Sequence, residues 1–261
     1  MKMRKTMNIQ RSNMKKLYFT IMALMVTLVA SAQTIKVYEY NEKGELNTTP
    51  AYTSNKQVKV VFVDHDYVDL GLPSGTLWAT CNVGANSPEE YGDYFAWGET
   101  TPKDTYDWST YKWCSWNGSE YRITKYCKGS YYGRVDDKRE LDPEDDAATA
   151  NWGSDWCMPT ISQLNELYNS SYTTKEWTTL NGVNGRLITS KKNGNTLFLP
   201  AAGYSWGGSP DDAGSNGNYW SRSLSLYSNH ASRLLFSSGN RDWDYYYRNC
   251  GLSVRPVRLQ N

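Results

Sequence analysis

Rings are the first constraint on this chain: 11 Trp, 21 Tyr and 5 Phe make 14% of its 261 residues. They are interspersed with 20 Gly and 9 Pro, which break long elements. Such a chain is expected to build short strands and many turns around a ring-rich core or surface. With 39% hydrophobic and 21% charged residues it falls in the globular range, which excludes a disordered, collagenous or coiled-coil chain. The 28 basic residues balance 27 acidic ones, so the basic footprint of a nucleic-acid binder is missing and no nucleic-acid partner is expected.

Residues 1–32 read as a signal peptide rather than as fold. Lys15-Lys16 precede an apolar run from Leu17 to Val29, and Ala30-Ser31-Ala32 supplies small residues for cleavage. The run is too short for a stable transmembrane helix. Met14 also begins a complete leader, because Met14-Lys15-Lys16 supplies its charged start. Cleavage after Ala32 leaves Gln33 to Asn261 and removes six of the 28 basic residues, so 22 then face 27 acidic ones. The exported chain is expected in the periplasm, on the outer cell surface or secreted, with no transmembrane segment.

Export permits disulfides. The cysteines are Cys81, Cys114, Cys127, Cys157 and Cys250, an odd number, so at least one stays unpaired or bonds another chain. No Cys-x-x-Cys occurs, which removes support for zinc or thioredoxin-type chemistry. Cys114 and Cys127 flank a short loop and are the first pair expected to bond.

Two strands, Ile35–Tyr40 and Val58–Val63, alternate apolar and polar residues around a turn-rich connection. Two strands hold no core of their own, so residues 33–65 are expected to be an appendage to a main domain over 66–261. There, Tyr67–Leu72 and Leu77–Cys81 read as strands around Pro73-Ser74-Gly75. Tyr91 to Lys128 reads as long ordered loops, of the kind that are functional or held by their own side chains. Ile161 to Asn169 has helical spacing, and Thr160 with Gln163 matches a capping box. A weaker helix is expected over Pro143 to Asn151. Asn195–Leu199, Asn218–Trp220, Arg233–Phe236 and Leu252–Val257 complete the expected strands.

Four motifs occur in order: Tyr67-Val-Asp-Leu-Gly-Leu-Pro-Ser-Gly-Thr-Leu-Trp-Ala-Thr80, Tyr91-Gly-Asp-Tyr-Phe-Ala-Trp-Gly-Glu-Thr100, Trp156-Cys-Met-Pro-Thr160 and Gly251-Leu-Ser-Val-Arg-Pro-Val-Arg258. Together they resemble the Fibrobacter succinogenes major paralogous domain, over roughly Tyr67 to Arg258. The resemblance implies an exported protein with an α+β, C-type-lectin-like fold related to formylglycine-generating enzymes: two short helices, a twisted antiparallel sheet and long irregular loops. The chain departs from the family at Cys157, usually Arg, and Leu252, usually Phe; a Cys157–Cys250 bridge is left open.

The 41 residues from Asn218 to Arg258 contain no Lys, Glu, Gln or Met. They hold six Arg and are rich in Asn, Ser, Tyr and Leu. Randomising the adenines of Asn codons yields such a mixture, as in the variable regions of diversity-generating retroelements, and some members of the family resemble such targets. Biased usage in a strand-and-loop region is the plainer reading. Tyr219, Trp220, Leu234, Phe236, Trp243, Val254 and Val257 are expected in the core. Arg222, Leu224, Leu226, Tyr227, His230, Arg233, Leu235, Asp242, Asp244, Tyr245, Tyr247 and Asn249 are expected to form a displayed binding surface. Tyr offers rigid contact area and Arg directional hydrogen bonds.

Catalytic and cofactor signatures are sparse. A Ser-His-Asp set would have to use one of the two His, His65 or His230, and no Gly-x-Ser-x-Gly elbow occurs. Asp64-His65-Asp66 reads as a solvated junction, and Asp142-Pro-Glu-Asp-Asp146 as a helix cap before a calcium site. The sugar-binding tripeptides of calcium-dependent lectins are missing, as is a Gly-Lys-Ser/Thr phosphate loop. Trp and Tyr clusters suit sugar stacking as well as core packing. The expected function is therefore non-enzymatic binding of a protein or glycan on another cell, phage or host surface, with no cofactor and no metal. Two alternatives are a structural part of a surface assembly docked through Ile35 to Val63, and a degenerate enzyme of the formylglycine-generating type.

Overall fold

A computed structural model describes residues 65–239 and 241–259, apart from the side chains of 241–243 and 259, and three strands nearer the N-terminus. The chain divides into two units, Met1–Val63 and Asp64–Asn261. In the first, β1 (Met25–Leu28), β2 (Ile35–Tyr38) and β3 (Tyr52–Ser54) form an antiparallel sheet with β2 in the middle. Leu28 pairs with Ile35, and Ile35 with Ser54. β1 falls within the segment read as a leader. The Val58–Val63 strand, the Ala30-Ser31-Ala32 site and Asp64 lie outside the described residues.

The second unit opens with β4 (Tyr67–Asp69) and β5 (Thr76–Ala79), antiparallel around the expected turn, where Gly75 N–H donates to the Leu72 carbonyl at 2.9 Å. A long, largely irregular region follows, with one hairpin, β6 (Cys114–Trp116) and β7 (Tyr121–Ile123). The helix expected over 143–151 is broken in two: a single 3-10 turn, Pro143–Asp145, then α1 (Ala147–Trp152). Asp146 is the reason. It leaves helical geometry so that its Oδ1 can accept from Ala148 N and Thr149 N as an N-cap. α2 (Ile161–Leu167) carries the expected capping box: Gln163 N donates to Thr160 Oγ1, and Thr160 N to Gln163 Oε1.

β8 (Thr173–Leu180) and β9 (Val183–Ser190) form the longest hairpin, and β10 (Thr196–Pro200) pairs with β9. The two-residue turn is Asn181-Gly182, with φ of 49° and 84°. These left-handed values match the turn that twists with its strands, and Asn-Gly is its strongest sequence signal. The motif stands in the sequence, yet no strand was expected there. β11 (Tyr204–Trp206) and β12 (Ser209–Asp211) make a small hairpin. β13 (Gly217–Leu224), β14 (His230–Phe236) and β15 (Arg241–Tyr247) form a three-stranded antiparallel sheet, and β16 (Val257–Leu259) returns to pair with β5. Small antiparallel sheets with two α-helices among the described residues make the architecture α+β.

The four sequence motifs meet on the C-terminal segment. Phe95 and Leu252 exchange backbone hydrogen bonds at 3.0 and 3.1 Å. Cys157 and Val257 do the same, at 2.9 and 2.8 Å, and Ala79 N donates to the Pro256 carbonyl at 3.0 Å. Leu252, Val254 and Val257 are buried, and the buried Arg255 donates to Asn82 Oδ1, the Ala79 carbonyl and the Thr80 carbonyl. One core cluster gathers Phe95, Trp97, Trp220 and Leu252, and a second gathers Trp78, Leu164, Leu234 and Phe236. The expected core residues Tyr219, Trp220, Leu234, Phe236, Val254 and Val257 are all buried; the Trp243 side chain lies outside the described residues.

The expected Cys114–Cys127 disulfide is corrected, and the Cys157–Cys250 bridge left open does not form. All five cysteines are free. The Cys114 thiol donates to the Trp108 carbonyl at 2.9 Å and the Cys127 thiol to the Gly129 carbonyl at 3.2 Å, so each side of that loop is closed by its own backbone. Burial also pushes the Cys114 thiol up to about 11 and the Cys250 thiol up to about 12.

Candidate functional site

The twelve residues expected on the displayed surface divide sharply. Leu226, Tyr227, Tyr245 and Tyr247 are exposed, with Leu226 at 81%, and His230, Leu235 and Asp244 are partly so. Leu224, Arg233 and Asn249 are buried and Arg222 is half-buried, which corrects the expected display. The Asp242 side chain lies outside the described residues.

The reason lies in β14. Alternation predicts one wet face, yet both faces of this strand meet core. Leu234 and Phe236 enter the second cluster, while Ala231, on the opposite face, enters the first. Arg233 points with Ala231 and is consumed internally. Its Nη1 donates to Asn218 Oδ1 at 2.6 Å and its Nη2 to Asp244 Oδ2 at 3.2 Å, and the guanidinium sits 3.9 Å over the Tyr246 ring. Leu224 ends a bulged β13, pairs with Ala231 and packs in the same cluster. Arg222 donates from Nη2 to the Leu141 carbonyl at 2.8 Å. Arg222 and Arg233 therefore brace the scaffold, and display falls to the aromatics.

The displayed rings form a connected series. His230 and Tyr247 are opposite each other across β14 and β15, with centroids 4.2 Å apart. Tyr245 meets His230 and Tyr227, each at 5.3 Å. Tyr247 reaches across to Trp108 edge-to-face at 6.2 Å. Burial lowers the His230 pKa below its ordinary value, more than nearby Asp244 raises it.

Trp108 is held by a local device. Asp107 Oδ1 accepts from Ser109 N, Ser109 Oγ and Thr110 N, a turn that fixes the backbone around the indole. The Ser109 bonds hold the Asp107 carboxyl below its ordinary range. Beside it, Trp116 and Tyr121 pair across the β6–β7 hairpin with rings 5.0 Å apart. Tyr131 and Tyr132 are drawn in because Ile123 N donates to the Tyr132 carbonyl and Arg134 N to the Ile123 carbonyl. Gly133 permits that approach: a Cβ there would lie 2.0 Å from the Ile123 oxygen. Trp206 arrives on the β11–β12 hairpin, which Tyr106 and Gly207 join to the Trp108 loop by paired backbone bonds of 2.8 and 3.1 Å.

Two clefts open between these rings. The larger, about 630 Å³, is lined by Asp107, Trp108, Ser109, Tyr121, Trp206, Tyr246, Tyr247, Asn249 and Cys250. The smaller, about 410 Å³, is lined by Trp108, Trp116, Glu120, Tyr121, Ile123, Tyr131, Tyr132 and Asn229. Trp108 and Tyr121 belong to both. Among the described residues, only Tyr247 and Asn249 of the expected surface set line them. Trp108, Trp116, Tyr121, Tyr131 and Trp206 were missed as site residues, although the first three fall in the Tyr91 to Lys128 stretch expected to be functional or self-supporting.

Arg248 locks this arrangement from beneath. It is fully buried. Its Nε donates to the Tyr111 hydroxyl at 2.8 Å, its Nη1 to the Tyr126 and Ser228 carbonyls at 3.0 and 2.8 Å, and its Nη2 to the Lys125 carbonyl at 3.0 Å. The guanidinium also lies 4.8 Å over the Trp97 ring. Three loops that carry displayed rings are thus tied to one side chain.

The acidic run at 142–146 is already engaged. Asp146 caps α1 and also accepts from Met158 N. The Lys125 ammonium lies 2.7 Å from Asp142, 2.6 Å from Asp145 and 3.7 Å from Glu144, the position a bound cation would occupy. His65 stacks on Trp152 at 3.6 Å.

No protein-family model matches this chain, and neither a curated protein nor a solved structure shows significant similarity to it.

Proposed function

We propose that this chain is an exported, non-enzymatic binding protein that recognises its ligand through the aromatic face around Trp108 and Tyr247. The observation that carries the reading is the pair of adjoining ring-lined clefts, fixed from below by Arg248. Rigid aromatic side chains give large contact area at small entropic cost. The scaffold reading is a C-type-lectin-like major paralogous domain, supported by two helices, a three-stranded antiparallel sheet and a long irregular region. Export is supported by the leader pattern. Cys250 lines the larger cleft, and burial raises its pKa and so disfavours a thiolate, which supports binding over thiol chemistry there.

Retroelement diversification fits the exposed part of the 218–258 stretch: Leu226, Tyr227, His230, Tyr245 and Tyr247 stand where side chains can change. A second copy of this coding stretch differing only at adenines, beside a reverse-transcriptase gene, would establish it. Deep sequencing that found the stretch as uniform as the rest of the gene would remove it.

The binding test uses an array of immobilised glycans and displayed random peptides. Saturable binding is expected, with loss in the Trp206→Ala/Tyr247→Ala double variant at unchanged melting temperature. No binding, or binding indifferent to the double variant, overturns the reading. A structural role in a surface assembly has one observation in its favour: cleavage after Ala32 removes β1 and leaves β2 with an open edge for a partner strand.

A further inference from the structure

We propose that the two clefts form one extended sugar-binding site whose ligand is a neutral oligosaccharide of two or more pyranose rings. This rests on the recognition reading above and names its ligand class.

Asn249 supplies the first argument. It lines the larger cleft, is 2% exposed, and its Oδ1 is buried with no hydrogen-bond partner among the described residues. A buried acceptor in that state favours any ligand that brings a donor. Proline-rich segments and quaternary ammonium groups also settle on aromatic grooves. A polyproline run has few N–H groups and a quaternary ammonium head has none, whereas every face of a sugar ring is bordered by hydroxyl donors.

Charge supplies the second. Among the described residues no Lys or Arg lines either cleft, while Asp107 and Glu120 do. Nucleic-acid bases stack on similar rings, but their backbone needs a cationic groove. Uronic, sulfated or phosphorylated sugars are disfavoured by Asp107, the carboxylate of the pair that has no cation within ion-pair distance among the described residues, since Glu120 is paired with Arg122 at 2.7 Å. A neutral ligand remains, and carboxylate and amide oxygens are suited to accept from its hydroxyls.

Shape supplies the third. Trp108 and Tyr247 stand edge-to-face, with an interplanar angle of 85°. The two rings are nearly perpendicular, so a pyranose laid with its C–H face on one turns its ring edge, where the equatorial hydroxyls lie, toward the other. Both volumes fall in the range of about 300–1,000 Å³ typical of small-molecule sites. Because Trp108 and Tyr121 line both clefts, the two adjoin, and a ligand that fills both must be longer than a single sugar.

The test is isothermal titration with tryptophan fluorescence, using cellotetraose, chitotetraose, mannotetraose and galactotetraose. At least one is expected to bind and perturb the fluorescence, more tightly than its own monosaccharide. Asn249→Leu is expected to weaken that binding about tenfold, roughly 1.4 kcal/mol, without lowering the melting temperature. A merely structural asparagine would instead lose stability and leave affinity unchanged, which overturns the assignment. Trp116→Ala, at an exposed position, is expected to weaken the tetrasaccharide more than the monosaccharide. Silence from all four sugars while array peptides still bind removes the sugar and leaves the recognition face standing. Silence from sugars and peptides alike removes both.

Discussion

Arg248 donates from Nε to the Tyr111 hydroxyl at 2.8 Å, and both groups are buried. The other acceptors of this guanidinium are backbone carbonyls from two further loops. A delocalised, weakly hydrated cation with a planar fork suits four scattered oxygens in a way an ammonium does not.

Arg248→Ala is therefore expected to destabilise the domain heavily. Each buried acceptor left unsatisfied costs about 1–3 kcal/mol, so a loss on the order of 4 kcal/mol should be read in urea denaturation. Arg248→Lys should recover little of it, because its three donors radiate from one atom. A Lys variant as stable as the parent would contradict the geometry.

Acid should weaken the fold in a defined window. Hydrogen bonds from Lys125, then Lys138, hold the Asp142 carboxyl down at about 2, below its ordinary 3.8. A depressed carboxyl stabilises the folded state above its ordinary value and loses that contribution as pH falls toward the folded one. For Asp145, burial opposes the bonds from Lys125, Tyr126 and Lys112, but the net direction is also down. Stability is expected to fall between pH 3.8 and 2, and Lys125→Met should flatten that slope while lowering stability at pH 7. Equal slopes in the two proteins would count against the cluster.

Reduction should change nothing. With five free thiols, dithiothreitol is expected to leave the melting temperature where it was. Iodoacetamide at pH 8 should label Cys114 and Cys250 slowly until urea is added, because burial keeps both protonated. A disulfide-bonded domain would lose about 2–5 kcal/mol on reduction instead.

Substitution tolerance along 218–258 should follow burial rather than residue type. Leu226→Asp and Tyr245→Ser are expected within about 0.5 kcal/mol of the parent. Leu224→Ala should cost about 2–5 kcal/mol, although both leucines sit in the same Ser/Leu-rich run. Thermal melts of the purified variants decide it.

Sequence reasoning reached the scaffold further than the site. Thr160 and Gln163 announced α2 because a cap depends on neighbours in the chain. Leu234 and Phe236 announced a core face because a strand repeats every second residue. The Asn181-Gly182 hairpin was equally local and went unread. Arg233 was misplaced for a nonlocal reason: whether its face of β14 is wet depends on the chain that packs over Ala231. Trp108, Trp116 and Trp206 converge only through distant pairings such as Tyr106 with Gly207, for which spacing carries no signal.

Along β15 the rings of Tyr245 and Tyr247 face water while Tyr246, between them, packs on Tyr204 at 5.3 Å. A one-residue insertion upstream in this strand would swap those allegiances, sending one solvent ring inward and the packed one out. The chemistry of this surface is thus open to revision by exchanging letters but closed to revision by adding or deleting them. Natural versions of the protein should accordingly keep the length of this strand fixed even where its residues differ.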